Sequence, residues 1–523
     1  MRTRDLWLWA GVALAALWAA GVTLYATGQG VSITPDSILY LEAADHVARG
    51  EGPVVANGAG RPERLTKFPP GYPVALGGWL AAGRLLAPEL TAAAAARALQ
   101  ILLTAINAGL LAWLVGRAAG GRVAVVVGGL AGIWLTVPLG FAEAHVAALS
   151  ESLTMLLLLL WLAAAARWVR EPAWRWLGVM ATLATAAVLV RFAGASLALA
   201  AGTVVLLRPD WGGWSWPKRL APAVGQGLPA LVAAAAWILS IPRGTGVGGS
   251  KATGVSVSNE FGLPALGLLP KTTLKAIWPY AESGLWPGVY LLLAAGLIVV
   301  LLRRDTVRDK PTASPTVAVT LQFVAAYLLL VWLSAATVDP YVRFDRRLAV
   351  PPMLAAVVAG AVALGRRSPP AAMALLLVLA VPGLPRALHY YDRWRDEGMH
   401  YNTPRFRDSP AGELIATLPG PVWADEIEPV RLLSGRAVRR SPSRRNLHLE
   451  PAELERDVRV MLDEAAAAGG GHYVILRFRG RPDEAQAIRD LLPDPRPVFH
   501  DAAVSVYRLP SGPASEPLPA EEP

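Results

Sequence analysis

The chain contains no cysteine among its 523 residues. This absence excludes disulfide bonds and thiolate metal sites, and it leaves the redox compartment undecided. The sequence also lacks the period-2 alternation of a membrane β-barrel and any tandem repeat of solenoid length. Apolar sequence dominates instead, because 54% of the residues are hydrophobic and the mean hydropathy is +0.40.

Long apolar runs predict a polytopic α-helical membrane protein. Ala, Leu and Val fill repeated stretches near the length of about 20 residues that crosses about 30 Å of hydrocarbon as a helix. Helices are the spanning structure that such runs can adopt, since no backbone group stays unpaired in lipid. About eleven spans are predicted by this criterion. They cover residues 6–27, 96–116, 122–141, 148–167, 175–189, 192–207, 220–241, 286–302, 316–336, 347–365 and 371–386.

Many of the positively charged residues lie in the loops between these spans. The net charge is +10, but Lys and Arg lie in short inter-span connections, as membrane orientation requires, and do not form a patch for nucleic acid. Residues 1–4 carry two arginines before the first span, which has no small-x-small cleavage site at its end. We therefore expect an uncleaved first helix with a cytoplasmic N-terminus.

Residues 70–88 determine the topology. We expect them to lie along the outer interface, because counting them as a span would place nearly all inter-span cations outside, against the positive-inside rule. The C-terminal part after residue 387 then faces outward from the cytoplasmic membrane. The inside cations on this topology are Arg2, Arg4, Arg117, Arg122, Arg167, Arg170, Arg175, Arg208, Lys218, Arg219, Arg303, Arg304, Arg308, Lys310, Arg366 and Arg367.

A change of composition near residue 387 predicts two domains and a tail. Residues 1–386 form the transmembrane domain, whose first outer loop is 28–95. Residues 387–510 are predicted to form a small extracytoplasmic α/β domain, since β-like segments alternate there with amphipathic helical stretches. Residues 511–523 are rich in Pro and Glu, which predicts a disordered tail. The β-like segments are 422–424, 473–478 and 504–507, and the helical stretches are 451–467 and 482–492.

Two carboxylates are candidate catalytic groups. Asp36 is predicted in the first turn of an outer-loop helix that Thr34 caps and Pro35 begins, with Tyr40 one turn later on the same face. Glu151 opens an apolar span at the outer interface, where a carboxylate usually has a partner. The helix dipole alone would also favour either carboxylate at these positions. His145 nearby could act as a ligand or a base, but a single histidine is more often an ordinary interfacial residue, and we do not assign it a role.

Several outward cations accompany these carboxylates. Lys67 precedes the stretch Phe-Pro-Pro-Gly-Tyr-Pro that contains Tyr72, and Arg191 falls between two short spans. Each cation alone can be explained by snorkelling to lipid headgroups. Together with two carboxylates they favour a site for a phosphate and a group that loses a proton. The late outward turn adds Arg343, Arg346 and Arg347.

The arrangement resembles the lipid-linked-sugar glycosyltransferases of the GT-C fold, which include protein O-mannosyltransferases and the aminoarabinose transferase of lipid A. The likeness is greatest to the bacterial branch described as RgtA/B/C/D-like. Its motifs occur in order over most of the membrane part. They are Pro35-Asp-Ser-Ile-Leu-Tyr40, Lys67-Phe-Pro-Pro-Gly-Tyr-Pro73, Ser150-Glu-Ser-Leu153, Val190-Arg-Phe-Ala-Gly194 and Arg347-Leu-Ala-Val-Pro351.

The sequence departs from this family at two positions. Ser37 follows Asp36 where several relatives carry an acidic pair, which weakens the case for a two-carboxylate metal site. Leu348 replaces the aromatic residue common after the late arginine.

The resemblance implies an inverting transfer of a sugar from a polyprenyl-phosphate donor to the hydroxyl of an envelope glycan, lipid or protein acceptor. In that scheme Asp36 accepts the hydroxyl proton, and Glu151 orients the acceptor or binds a possible divalent metal ion. Tyr40 and Tyr72 would pack on the sugar or the isoprenoid. The lipid phosphate would be stabilised by Lys67, Arg191, Arg343, Arg346 and Arg347.

Two other classes stay open at this point. A transporter or flippase for a lipid-linked or anionic substrate would carry charges near the midplane and often show internal symmetry. A noncatalytic assembly or lipid-binding protein would act through its outward domain. We rank the enzyme first because the charges gather at the outer edge of the predicted bundle.

Overall fold

The computed structural model describes most of the chain. It covers residues 3–56, 62–119, 123–207, 215–240, 314–337, 346–381, 383–442, 451–476, 488–494 and 496–512. The predicted span 286–302 and the outer loop 242–285 lie outside the described residues, as does the predicted tail beyond residue 512.

The chain forms two compact units. The first, here called the membrane unit, combines Met1–Gly28 with Leu65–Asp396. The second, here called the sheet unit, combines Gln29–Arg64 with Glu397–Pro523. The two predicted domains, with a boundary after residue 386, stay a prediction.

Helices build the membrane unit at nearly all of the predicted spans. Among the described residues, five helices are long and apolar enough to cross a membrane, or up to seven if each bent pair counts as one span. The chain is a multi-pass membrane protein. The helices are Thr3–Ala26 (α1), Gly71–Arg84 (α3), Ala92–Ala119 (α4), Val123–Trp134 (α5), Leu139–Val146 (α6), Glu151–Arg170 (α7), Trp174–Val190 (α8), Ala195–Leu206 (α9), Trp216–Leu239 (α10), Pro315–Thr337 (α11), Arg346–Arg367 (α12), Pro369–Ala380 (α13) and Leu384–Glu397 (α14).

Helix α4 is central to this unit. It contacts α1, α3, α5, α6, α7 and α12. The span predicted at 122–141 is broken, because α5 and α6 meet at an angle of 71°. Thr136 lies in the break, and its hydroxyl accepts a hydrogen bond from Trp18 Nε1 at 3.1 Å. This hydrogen bond connects the segment between α5 and α6 to α1.

The segment predicted to lie at the outer interface forms α3. This helix has 14 residues, which at about 1.5 Å per residue is shorter than the hydrocarbon layer. Its interfacial position stays a prediction.

The sheet unit begins with the predicted outer-loop helix. Pro35–Ala48 (α2) starts after Thr34, whose side chain accepts from the backbone N–H of Ser37. The Thr34 cap and the proline at the first helical position are therefore confirmed. Strands Val54–Ala56 (β1) and Pro62–Arg64 (β2) follow as an antiparallel pair that the sequence analysis missed.

A mixed sheet forms the rest of this unit. The elements are Pro404–Arg407 (α15), Ala411–Thr417 (α16), Val422–Ala424 (β3), Ile427–Ser434 (α17), Arg439–Arg440 (β4), Pro451–Ala467 (α18), Gly471–Leu476 (β5), Pro497–His500 (β6) and Val504–Leu509 (β7). The strand order is β4-β3-β5-β7-β6, with β3 parallel to β4 and β5, and β7 antiparallel to β5 and β6. Trp423, Val458 and Tyr473 lie in the apolar core.

Polar contacts join the N-terminal and C-terminal parts of the sheet unit. Ile33 forms an isolated bridge with His400, and Ser32 Oγ lies 2.9 Å from His400 Nδ1. Arg431 pairs with the Glu42 carboxylate and donates to the Ala56 carbonyl. These contacts link positions that are far apart in sequence. The segment 29–64 is therefore part of the same folded unit as the C-terminal sheet.

Candidate functional site: a buried carboxylate between two arginines

Three of the predicted site residues meet in the membrane unit. Glu151 begins α7 and its side chain is only 3% exposed. Its Oε1 lies 2.7 Å from Arg191 Nη1 and also accepts a hydrogen bond from Arg347 Nε. Arg191 Nη1 also donates a hydrogen bond to the Ser150 hydroxyl at 3.3 Å. We call Glu151, Arg191 and Arg347 the charge cluster.

A break between helices presents Arg191. Helix α8 ends at Val190, Arg191 has an extended backbone, and residues 192–194 form a 3-10 turn before α9. The turn packs tightly, since a Cβ at Gly194 would collide with the backbone of Ala187. Arg191 thus leaves the helical path where its side chain can reach the start of α7.

A second irregular backbone region supports Arg347. Helix α12 contains Pro351 and Pro352, neither of which can donate a backbone hydrogen bond. Pro352 would otherwise donate to Leu348, whose carbonyl instead accepts from the Tyr327 hydroxyl at 2.9 Å. This contact stabilises the first turn of the helix and thereby the backbone of Arg347.

The charge cluster carries net positive charge. Two guanidiniums face one carboxylate, and each guanidinium has five N–H donors in a fixed geometry. Glu151 is buried, whereas the side chains of Arg191 and Arg347 are 19% and 33% exposed. Partly exposed guanidinium groups of this kind can bind an anion such as a phosphate, while the buried carboxylate orients them.

A row of buried polar groups on α4 packs beside the cluster. Gln100 Nε2 donates to the Tyr72 hydroxyl at 3.1 Å and to the Leu149 carbonyl at 2.9 Å. Asn107 Nδ2 donates to the Ser152 carbonyl at 2.9 Å. These bonds hold the chain on both sides of Glu151. The sequence analysis missed them, although Gln100, Thr104 and Asn107 have helical spacing within an apolar span.

The Lys67 to Pro73 stretch ends against the helix that leads to Arg191. Lys67 Nζ lies 5.2 Å from the centre of the Phe68 ring. Tyr72 is fully buried, so its predicted packing on substrate stays a prediction. A Cβ at Gly71 would lie 2.6 Å from the Leu189 carbonyl oxygen. A glycine at this position therefore permits the close approach of α3 to α8.

This approach predicts a difference between two glycine variants of α3. Gly71→Ala should lower the unfolding temperature, with an overpacking cost of about 1–3 kcal/mol. Gly78→Ala is the control, since a Cβ there meets nothing within 4 Å and alanine favours a helix. Tryptophan fluorescence during heating in detergent measures both. Equal unfolding temperatures for the two variants would contradict the close approach.

The other predicted residues have different positions. Asp36 is half-buried in the first turn of α2, and Tyr40 is 2% exposed in the core of the sheet unit. Their convergence with the charge cluster stays a prediction. Arg346 is the first residue of α12, and Arg343 lies outside the described residues. His145 is 2% exposed, and its Nδ1 lies 2.6 Å from the Phe141 carbonyl.

A metal ion does not fit the charge cluster as it stands. Oε1 of Glu151 already contacts two guanidiniums, which would repel a divalent cation. Within the described ranges, no group of three or more His, Asp and Glu side chains could hold a metal. We therefore derive no step through a metal ion.

A further polar group, missed in the sequence, lies in the sheet unit. Asp425 follows β3, at the carboxyl end of parallel strands where ligands commonly bind in α/β sheets. Its carboxylate accepts from the backbone N–H of Glu426 at 2.9 Å. Burial, and secondarily the charge of Glu426, raises the pKa of Asp425 to about 7.

This pKa predicts a pH dependence of local stability. Because the folded state binds the proton more tightly than the unfolded state, stability should fall as the pH rises from about 4 to 7. Hydrogen exchange of β3 and β5, corrected for intrinsic rates, should accelerate over this range. Asp425→Asn carries no titrating charge and should flatten the dependence. The same slope in the variant and in the parent protein would contradict the assignment.

Comparison with solved structures identifies the fold. The apo form of the oligosaccharyltransferase from Archaeoglobus fulgidus aligns with a TM-score of 0.50 at 11% identity, covering 90% of this chain and 69% of that chain. The same protein tethered to an acceptor peptide containing the NVT sequon gives a TM-score of 0.49 at 10% identity, with coverages of 90% and 69%. No protein-family model and no curated protein matches the chain.

The alignment with the apo form establishes the class at the level of the fold. The chain is a polytopic α-helical membrane protein of the GT-C fold with a small sheet region near its C-terminus. The fold predicted from the sequence is therefore confirmed. At this identity the likeness does not extend to donor, acceptor or reaction.

Proposed function

We propose that the chain is a membrane glycosyltransferase that moves a sugar from a polyprenyl-phosphate donor to an acceptor hydroxyl, with inversion. The observation that carries the proposal is the charge cluster, a buried Glu151 between two partly exposed arginines. The GT-C fold supports it, since the aligned solved structure is that of an oligosaccharyltransferase.

The donor phosphate binds the guanidinium groups of Arg191 and Arg347. As the bond between the anomeric carbon and the phosphate oxygen breaks, its electron pair passes to the phosphate. Arg191 and Arg347 stabilise this developing charge, and Lys67 adds a third cation. Such donors are most effective where little water competes, and the burial of Glu151 indicates such a region.

The acceptor hydroxyl attacks the anomeric carbon on the face opposite the phosphate, which inverts its configuration. Asp36 accepts the hydroxyl proton as the new carbon–oxygen bond forms. Glu151 acts as a positioning residue, because its carboxylate orients both arginines. The acceptor is an envelope glycan, lipid or protein.

We place the site at the outer face of the cytoplasmic membrane. The supporting argument is the distribution of Lys and Arg, which puts the N-terminus inside and the C-terminal domain outside. A single cysteine introduced at residue 90 or near the C-terminus should react with an impermeant thiol reagent added outside intact cells. Labelling only after the cells are opened would overturn this orientation.

A transporter or flippase is the alternative. The broken pair α5 and α6, with its 71° bend, favours it, since transporters often build substrate sites from interrupted helices. The two functions differ in their products, because transport leaves the donor chemically unchanged.

A donor panel tests the proposal. Purified protein is incubated with several polyprenyl-phosphate sugars and a mixture of envelope glycans, lipids and proteins, and the donors are analysed by mass. We expect one sugar to be lost from its carrier and to appear on an acceptor. Movement of intact donor across proteoliposomes without loss of sugar would support the alternative.

A further inference from the structure

A large apolar cavity lies within the membrane unit, away from the charge cluster. Its volume is about 940 Å³, near the upper end for ligand pockets. The wall is built by α1, α4, α7, α8 and α11. Small or apolar side chains form most of it, among them Val12, Gly109, Leu160, Ala163 and Leu183. The proposed glycosyl transfer assigns no role to this space.

The cavity includes the end of α7 opposite Glu151. Arg167 and Arg170 contribute to its lining and lie in the last turn of this helix of 20 residues. At about 1.5 Å per residue, that end is about 30 Å from the start of the helix. The charge cluster and this cavity are therefore separate sites.

Arginines gather at the cavity. Arg117, Arg167 and Arg170 all line it. Arg366, Arg117 and Arg167 repel the charge of Arg170, and Glu171 attracts it. Glu171 is itself paired with Arg167 at 2.7 Å. The site thus has excess positive charge beside apolar walls.

Membrane orientation explains the arginines but not the cavity. The positive-inside rule requires cations in these loops, yet it does not require them to surround a space. Trp9, Trp113 and Trp176 also line the cavity, and tryptophan is enriched where hydrocarbon meets headgroups. An amphiphile with one anionic end matches apolar walls, interfacial tryptophans and clustered arginines together.

We propose that this cavity binds an anionic phospholipid of the inner leaflet. The headgroup phosphate accepts hydrogen bonds from Arg117, Arg167 and Arg170, and acyl chain occupies the apolar space. A phospholipid fits better than the polyprenyl-phosphate donor, because donor phosphate must reach the charge cluster at the other end of α7. The bound lipid would fill the space between five helices and stabilise the bundle.

Native mass spectrometry of the detergent-solubilised full chain tests this proposal. Phosphatidylglycerol is titrated against phosphatidylcholine, and we expect at least tenfold tighter binding of the anionic lipid. The double variant Arg167→Gln/Arg170→Gln should lose this preference. The control Lys218→Gln/Arg219→Gln removes the same charge from α10, whose residues do not line the cavity, and should keep it.

A third variant tests the apolar part without changing charge. Ala163→Phe places a ring in the cavity and should weaken binding of phosphatidylglycerol, while its unfolding temperature without added lipid reports whether the bundle remains intact. Equal affinity for the two lipids, or the same loss in the control double variant, would overturn the proposal. Tighter binding of a long-chain isoprenyl phosphate that displaces phosphatidylglycerol would also overturn it.

Discussion

Asp36→Asn should lower the kcat of sugar transfer by about 10²- to 10⁴-fold, the usual contribution of a general base. Asparagine has nearly the same size but cannot accept the proton of the attacking hydroxyl. The hydrogen bond from Ser37 N–H to Thr34 Oγ1, which starts α2, does not involve the Asp36 side chain. We expect the fold and the affinity for the donor to be retained, because the amide has nearly the shape of the carboxylate and still forms hydrogen bonds.

The matched control is Asp45→Asn on the same helix. Asp45 pairs with Arg49 at a partly exposed position, where such pairs contribute little to stability. Transfer should continue in this variant at a rate close to that of the parent protein. The measurement is single-turnover transfer from a saturating donor, with donor affinity determined separately. Transfer by the Asp36 variant within threefold of the parent rate would remove the assignment of Asp36 as the base.

Arg347→Gln should lower kcat by about 10²- to 10³-fold, as is typical when one donor to a developing oxyanion is lost. Donor binding should weaken as well, because the substitution removes a guanidinium from the charge cluster. Arg347→Lys should retain part of the binding but little of the rate, since an ammonium lacks the forked geometry. Arg97→Gln is the control, because Arg97 donates to the Thr27 hydroxyl, outside the cluster.

A double variant separates the catalytic role of the cluster from a structural one. Arg347→Gln alone removes one of the partners of the buried Glu151 carboxylate. Loss of a partner from a fully buried ion pair lowers the free energy of unfolding by about 3–5 kcal/mol. Adding Glu151→Gln removes that buried charge, so the unfolding temperature should recover while transfer does not. Recovery of transfer together with stability would show that Arg347 serves only to neutralise Glu151.

The sequence predicted the features that depend on local physics. Hydropathy located most helices, and the order Thr34, Pro35, Asp36 predicted the start of α2, because capping and proline geometry involve only neighbouring residues. The family motifs pointed to Glu151, Arg191 and Arg347. Their separation into one buried anion and two partly exposed cations could not be predicted, since it depends on contacts between helices distant in sequence.

Other features were missed for the same reason. Gln100 and Asn107 bond to the backbone around Glu151, but in sequence they are only polar residues within an apolar span. The pairing of Arg431 with Glu42 joins positions that no periodic pattern relates. Arg167 and Arg170 were predicted as orientation signals, and the cavity beside them arises only when several helices pack together.

The measurement that most directly tests the account is crosslinking between introduced cysteines, which the cysteine-free chain permits without background. The central proposal is that Asp36 accepts the proton of an acceptor that is bound at the charge cluster. The pair Asp36→Cys with Arg347→Cys should react with a short thiol-specific crosslinker, as should the positive control Arg191→Cys with Arg347→Cys. The pair Asp36→Cys with Arg170→Cys should not react. Reaction of the positive control without reaction of the first pair would contradict the claim.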